Sequence, residues 1–192
     1  MARKRIVLFG GSFDPPHEGH LYVSRLAHQT LRADEVRWIP ALGNPLKPSG
    51  CAHGFDERMA LCRALTQDNA FVSISDIERR MRLRFAVDVI EATTAQENRA
   101  RFVWMMGSDC APRFHEWLHW EKIVASIPLA IFSRTPDWRE KIRTAHAFAR
   151  YGERMRDANP EKLFLRRPPA IQLIETLNHP ASSSDRRNAS CL

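Results

Sequence analysis

Ile6-Val7-Leu8-Phe9-Gly10-Gly11-Ser12-Phe13-Asp14-Pro15-Pro16-His17-Glu18-Gly19-His20 is the stretch on which the fold turns. The apolar run Ile6 to Phe9 is short and stops at two glycines, the pattern of a strand buried on both faces. Pro15 and Pro16 then stiffen a turn, and a helix is expected from about Pro16 to Thr30. Proline suits a first helical turn because the N–H it lacks has no partner there anyway.

Moving outward, the same alternation repeats along the chain. Short apolar strands are expected at 36–39, 71–74, 102–106, 129–132 and 171–174. Helices are expected over 85–98, 112–125 and 137–157, and apolar residues Phe55, Met59, Cys62 and Leu65 recur at helical spacing. Residues 41–54 form a Pro/Gly/Asn-rich loop whose length suggests a functional role. Alternating strands and helices imply an α/β fold, a doubly wound and mostly parallel sheet with helices on both faces. Ligands of such sheets gather where strands end and helices begin. The notable residues lie at such ends, Gly10 to His20 after the first strand and Gly107 to Asp109 after 102–106.

The 192 residues suit a single domain, with 44% hydrophobic and 27% charged residues in ordinary globular proportion. A formal charge of +7, spread along the chain, favours anionic partners without choosing among them. Cys51, Cys62, Cys110 and Cys191 form no C-x-x-C pair, which argues against a disulfide framework or a zinc ribbon and for a reducing compartment. The basic start Met-Ala-Arg-Lys-Arg precedes only four apolar residues, too few for a signal peptide. No stretch approaches the roughly 20 apolar residues of a spanning helix. A cytoplasmic protein with no membrane partner is expected.

The chemistry of the opening turn follows from its residue types. Glycines let the backbone approach a phosphate closely. The N–H groups of the following helix end, with its dipole, favour an anion. His17 and His20, three residues apart, are expected on one face of the first turn. There, imidazoles can donate to phosphate oxygens and stabilise charge as it develops. Asp14 is expected to cap the helix.

G-G-S-F-D-P-P-H-E-G-H resembles the signature of the H-x-G-H nucleotidyltransferases, most closely the nicotinate-nucleotide adenylyltransferases of NAD synthesis, with their Rossmann-like fold. The loop Ile39 to Lys47 resembles that family's mononucleotide-side loop. Phe102-Val103-Trp104-Met105-Met106-Gly107-Ser108-Asp109 followed by Phe114-His115-Glu116-Trp117 resembles its G-x-D strand end and F-x-x-W helix. Ser182-Ser183-Ser184-Asp185-Arg186-Arg187 is similar to its I-S-S-T-x-I-R tail.

The resemblance implies adenylyl transfer from ATP to nicotinate mononucleotide, giving deamido-NAD and pyrophosphate. Gly10, Gly11, Ser12 and Phe13 would cradle the nucleotide, with His17 and His20 on the phosphates around the reacting phosphorus. Arg187, with Ser183 and Ser184, would bind the departing pyrophosphate. Gly107 and Asp109 would complete the ATP side, Asp109 accepting from a ribose. Lys47, Trp117 and Arg134 would face the mononucleotide, Trp117 stacking on its pyridine ring. Mg2+ would arrive on the ATP phosphates, so no protein metal ligand is expected.

This chain departs from the family pattern in three places. Phe85-Ala86 replaces the usual Tyr-Thr, Ala181 and Arg186 replace apolar β-branched residues, and the usual final helix is not expected before Leu192.

Three rival readings are weighed. His115-Glu116-Trp117-Leu118-His119 matches the H-E-x-x-H motif of zinc proteases, but the G-x-x-H extension is missing, which favours two surface histidines. A nucleic-acid binder would explain the charge but not H-x-G-H, and no such module is recognisable. Phosphopantetheine adenylyltransferases and cytidylyltransferases share the first motif but not G-x-D followed by F-x-x-W.

Overall fold

The computed structural model describes residues 3–43, 52–133, 137–149 and 159–176. Six strands, β1 (Arg5–Gly11), β2 (Glu35–Pro40), β3 (Val72–Ile74), β4 (Arg101–Gly107), β5 (Leu129–Phe132) and β6 (Ile171–Ile174), form one sheet. Their order is β3-β2-β1-β4-β5-β6 and every pairing is parallel. All six strands expected from the apolar runs are present, and the doubly wound α/β class holds.

Residues alternate between two cores because successive strand side chains point to opposite faces. Ile6 and Leu8 of β1 join Trp104 and Met106 of β4 on one face. Val7 and Phe9 join Val103 and Met105 on the other. Helix α1 (Glu18–Thr30) and α2 (Phe55–Thr66) contribute Leu21, Ala27 and Cys62 to the second core. Helices α3 (Ile77–Met81), α4 (Ala86–Gln96), α5 (Trp120–Ser126) and α6 (Trp138–Thr144) pack on the first. No helix of the described residues is long and apolar enough to cross a membrane.

Where the strands begin, Glu35 is enclosed by Lys4, Arg37 and Ser73. Burial raises its carboxyl, but hydrogen bonds from Arg37, Lys4 and Ser73 outweigh this and bring it down to about 2. This network lies at the end of the sheet opposite the glycine turn, and its role is structural.

Two helical expectations fail. Residues 112–125 are not one helix: Ser108–Glu116 is a 3-10 segment, the chain breaks at 117–119, and α5 starts at Trp120. Ala111, Phe114 and Trp117 face the core, and their spacing of three fits the three-residue turn of the 3-10 segment better than an α-helix. His119 takes a left-handed φ of 52° at the break. The helix expected over 137–157 ends at Thr144. The chain then turns so that Phe148 is buried, stacked on Phe114 with ring centroids 5.2 Å apart. The rest of that span lies outside the described residues. Helix α3 was not anticipated.

Candidate active site

The strand order reverses between β1 and β4, so their carboxyl ends open the crevice in which doubly wound sheets bind ligands. A cleft lies there, lined by Phe9, Gly19, His20, Val23, Met105, Met106, Gly107 and Phe132. Two separate sequence signals, the H-x-G-H helix start and the Gly107 strand end, therefore meet at one place.

The two histidines differ in role. His17 is not on the first turn but is the N-cap of α1, with extended backbone (φ −152°, ψ 168°). Its Nδ1 accepts the N–H of Gly19 at 3.1 Å. His20 reaches back, its Nδ1 accepting the N–H of His17 at 3.2 Å. The pair reproduces a capping box with imidazoles in place of the usual hydroxyl and carboxylate. An Nδ1 that accepts a hydrogen bond carries no proton, so each neutral ring bears its proton on Nε2 as a donor. The rings lie 3.9 Å apart between centroids. His17 is wholly enclosed, while His20, 8% exposed, lines the cleft.

An aromatic frame holds His20. Phe13 lies 4.8 Å from its ring and stacks on Trp38, also at 4.8 Å. The Trp38 indole N–H donates to Ser24 Oγ at 2.8 Å, and Ser24 donates to the His20 carbonyl at 2.8 Å. Phe13 has a left-handed φ of 46°, and its ring is buried in the second core. Its ring is therefore committed to packing. Such a backbone costs a bulky residue on the order of 1–3 kcal/mol and persists only where its surroundings enforce it.

Gly10 is explained by packing. The room a Cβ would need is filled by the Trp104 ring, 2.5 Å away. At Gly11 the corresponding gap to Phe13 is 3.3 Å.

Asp14 does not cap α1. It accepts the N–H groups of Ala52 (2.7 Å) and His53 (3.1 Å) and bonds the His53 ring at 2.7 Å. Burial raises its carboxyl, but these bonds prevail and hold it below the usual carboxylate range. Nearby, Arg58 is 1% exposed and donates to three main-chain carbonyls: Ser12 at 2.6 Å, Ala41 at 2.8 Å and His53 at 3.2 Å. Enclosing a guanidinium costs several kcal/mol unless its donors are bonded, and here they are. Glu78 accepts the Leu42 N–H at 2.7 Å; burial pushes its carboxyl up to about 7 against the pull of that bond and of Arg58. The sequence reading missed Arg58 and Glu78. Its one available signal was a charge at position 58 on the apolar stripe of Phe55, Met59 and Cys62.

Ser108 is buried and Asp109 exposed in the first turn of the 3-10 segment, which has Gly107 as its uncapped start. Trp117 is half-buried, its ring 5.2 Å from Phe114. Lys47, Arg134, Ser183, Ser184 and Arg187 lie outside the described residues, as do Ala181 and Arg186. Phe85 is the N-cap of α4 and makes no side-chain cap bond.

The H-E-x-x-H pattern does not form the zinc-protease helix. His115 lies in the last turn of the 3-10 segment and His119 is left-handed beyond the break, so the two are not one α-helical turn apart. Both are exposed, and Glu116 pairs with Arg113 at 2.7 Å. Among the described residues, no group of three or more His, Cys, Asp or Glu is placed to hold a metal.

Residues 8–189 match the family model described as cytidylyltransferase-like. A Bradyrhizobium sp. (strain ORS 278) protein named probable nicotinate-nucleotide adenylyltransferase is 37% identical over 186 residues, covering 96% of this chain and 95% of its own. One of the same name from Methylorubrum extorquens (strain PA1) is 37% identical, covering 95% of this chain and 98% of its own. The fold is similar to that of Plasmodium falciparum nicotinic acid mononucleotide adenylyltransferase complexed with NaAD, with a TM-score of 0.69 at 19% identity over 97% of this chain and 83% of that one.

Proposed function

The chain belongs to the cytidylyltransferase-like family and, within it, to the nicotinate-nucleotide adenylyltransferases, and from that premise we propose how its site works. The substrates are ATP, entering with Mg2+ on its phosphates, and nicotinate mononucleotide. A phosphate oxygen of the mononucleotide attacks the α-phosphorus of ATP. The bond from that phosphorus to the bridging oxygen breaks, and pyrophosphate leaves with the electron pair. The products are deamido-NAD and pyrophosphate, and no covalent enzyme intermediate is needed.

The observation that carries this reading is the placement of His20 in the cleft at the β1–β4 switch point, opposite Gly107. The nucleophile is already an anion, so catalysis rests on alignment and on donors facing the developing charge. The Nε2–H of His20 supplies such a donor on a ring locked by backbone hydrogen bonds, and the enclosed His17 ring, 3.9 Å away, backs it. Gly10, Gly11, Ser12 and the Phe13 backbone cradle the nucleotide. Asp109 meets a ribose, and Trp117, Lys47 and Arg134 meet the mononucleotide. Arg187, Ser183 and Ser184 take the pyrophosphate. Work on soluble nucleotides suits a cytoplasmic location.

Pyrophosphate release from ATP, followed across nicotinate mononucleotide, nicotinamide mononucleotide and phosphopantetheine, tests the reading. Nicotinate mononucleotide should give the largest kcat/KM. A larger value with phosphopantetheine would overturn the assignment.

A further inference from the structure

Arg58 has no place in the mechanism above, yet it is among the largest fully buried side chains. Its partners come from three separate segments: Ser12 in the turn after β1, Ala41 immediately after β2, and His53 two residues before α2. All of its hydrogen bonds among the described residues go to main-chain carbonyls. Asp14, two residues beyond Ser12, ties the same turn to the same region with the opposite polarity, taking the N–H groups of Ala52 and His53. The turn after β1 and the segments flanking the loop after β2 are thus bonded to each other through a cation and an anion.

We propose that Arg58 is a positioning residue that couples the two halves of the substrate site. It fixes the Ser12 peptide on the triphosphate side and the Ala41 and His53 peptides on the mononucleotide side. This rests on the adenylyl-transfer reading.

Peptide geometry supplies the reason. The Ser12–Phe13 bond is not among the cis peptides, so its C=O and N–H point in opposite directions. A carbonyl drawn onto Arg58 therefore turns the Phe13 N–H away from it. Phe13 has a positive φ of 46°, the left-handed half of the αR–αL pairs whose successive N–H groups form anion-binding concavities. The guanidinium is suited to this task because its planar fork offers five donors in fixed directions. A lysine ammonium, a compact point charge on a flexible stem, cannot span three carbonyls in the same way.

The test uses the full chain with Arg58→Lys and Arg58→Met. Pyrophosphate release is measured with each substrate varied in turn, beside thermal melting and circular dichroism of the same samples. Arg58→Lys should fold, yet lose on the order of 10²-fold in kcat/KM through a raised KM for both ATP and nicotinate mononucleotide. Arg58→Met should lose at least as much. Should Arg58→Met fail to fold, Arg58→Lys decides alone. Wild-type rates per folded molecule with only a lower Tm would overturn the proposal, because Arg58 would then merely stabilise the fold. A KM change confined to one substrate would overturn the coupling. If the wild type itself turned over no acceptor, the adenylyl-transfer reading would fail instead. Calorimetric binding of a non-hydrolysable ATP analogue would still be expected to weaken in Arg58→Lys, and unchanged binding would count against the Ser12 role.

Discussion

A Cβ on Gly10 would sit 2.5 Å from Cη2 of Trp104, because the indole fills the space that any other residue at position 10 would need. The two residues lie on adjacent strands β1 and β4, so the glycine turn is set partly by the core beneath it. Gly10→Ala should cost about 1–3 kcal/mol by overpacking, read as a lower Tm. Pairing it with Trp104→Leu should recover part of the loss. An alanine variant as stable as wild type would show that the ring moves aside freely.

His20→Ala should reduce turnover by on the order of 10²-fold or more, as loss of a transition-state donor does. His17→Ala should reduce activity and also destabilise α1 by about 1 kcal/mol, since it removes the N-cap acceptor for Gly19. A His20 variant with near-wild-type turnover would exclude that ring from the chemistry.

Trp117 is half-buried beside Phe114. Trp117→Ala should raise KM for the pyridine nucleotide far more than KM for ATP. Steady-state kinetics with each substrate varied would decide, and equal effects on both would count against stacking.

Glu78 links stability to pH. Its carboxyl stands near 7 in the fold against an ordinary 4.5, so between those values the folded state holds the extra proton. Its contribution is complete below the unfolded value and is lost as pH rises through the folded one, a change on the order of 3 kcal/mol at most. Glu78→Gln should flatten the fall of Tm between about pH 4.5 and 7. The glutamine carbonyl can still accept the Leu42 N–H, so the loop contact is kept. Parallel Tm curves for the two proteins would remove Glu78 from the linkage.

The chain by itself determined what adjacent residues encode. Runs of four or five residues rich in apolar side chains placed all six strands, and Gly-Gly with Asp-Pro-Pro and H-x-G-H singled out the turn after the first of them. Both signals are local, because strand burial and turn chemistry depend on neighbouring residues. Helix ends were less legible: the three-residue spacing of Ala111, Phe114 and Trp117 reads as helix until packing shows that it follows a tighter turn. Only the tertiary structure set β4 beside β1, which brings Gly107 to His20. It also assigned His17 to the cap, turned the Phe13 ring into the core, and enclosed Arg58 among carbonyls 5, 17 and 46 residues away. A buried charge is tolerable only when distant segments supply its partners, and that supply is fixed by the fold rather than by any stretch of sequence.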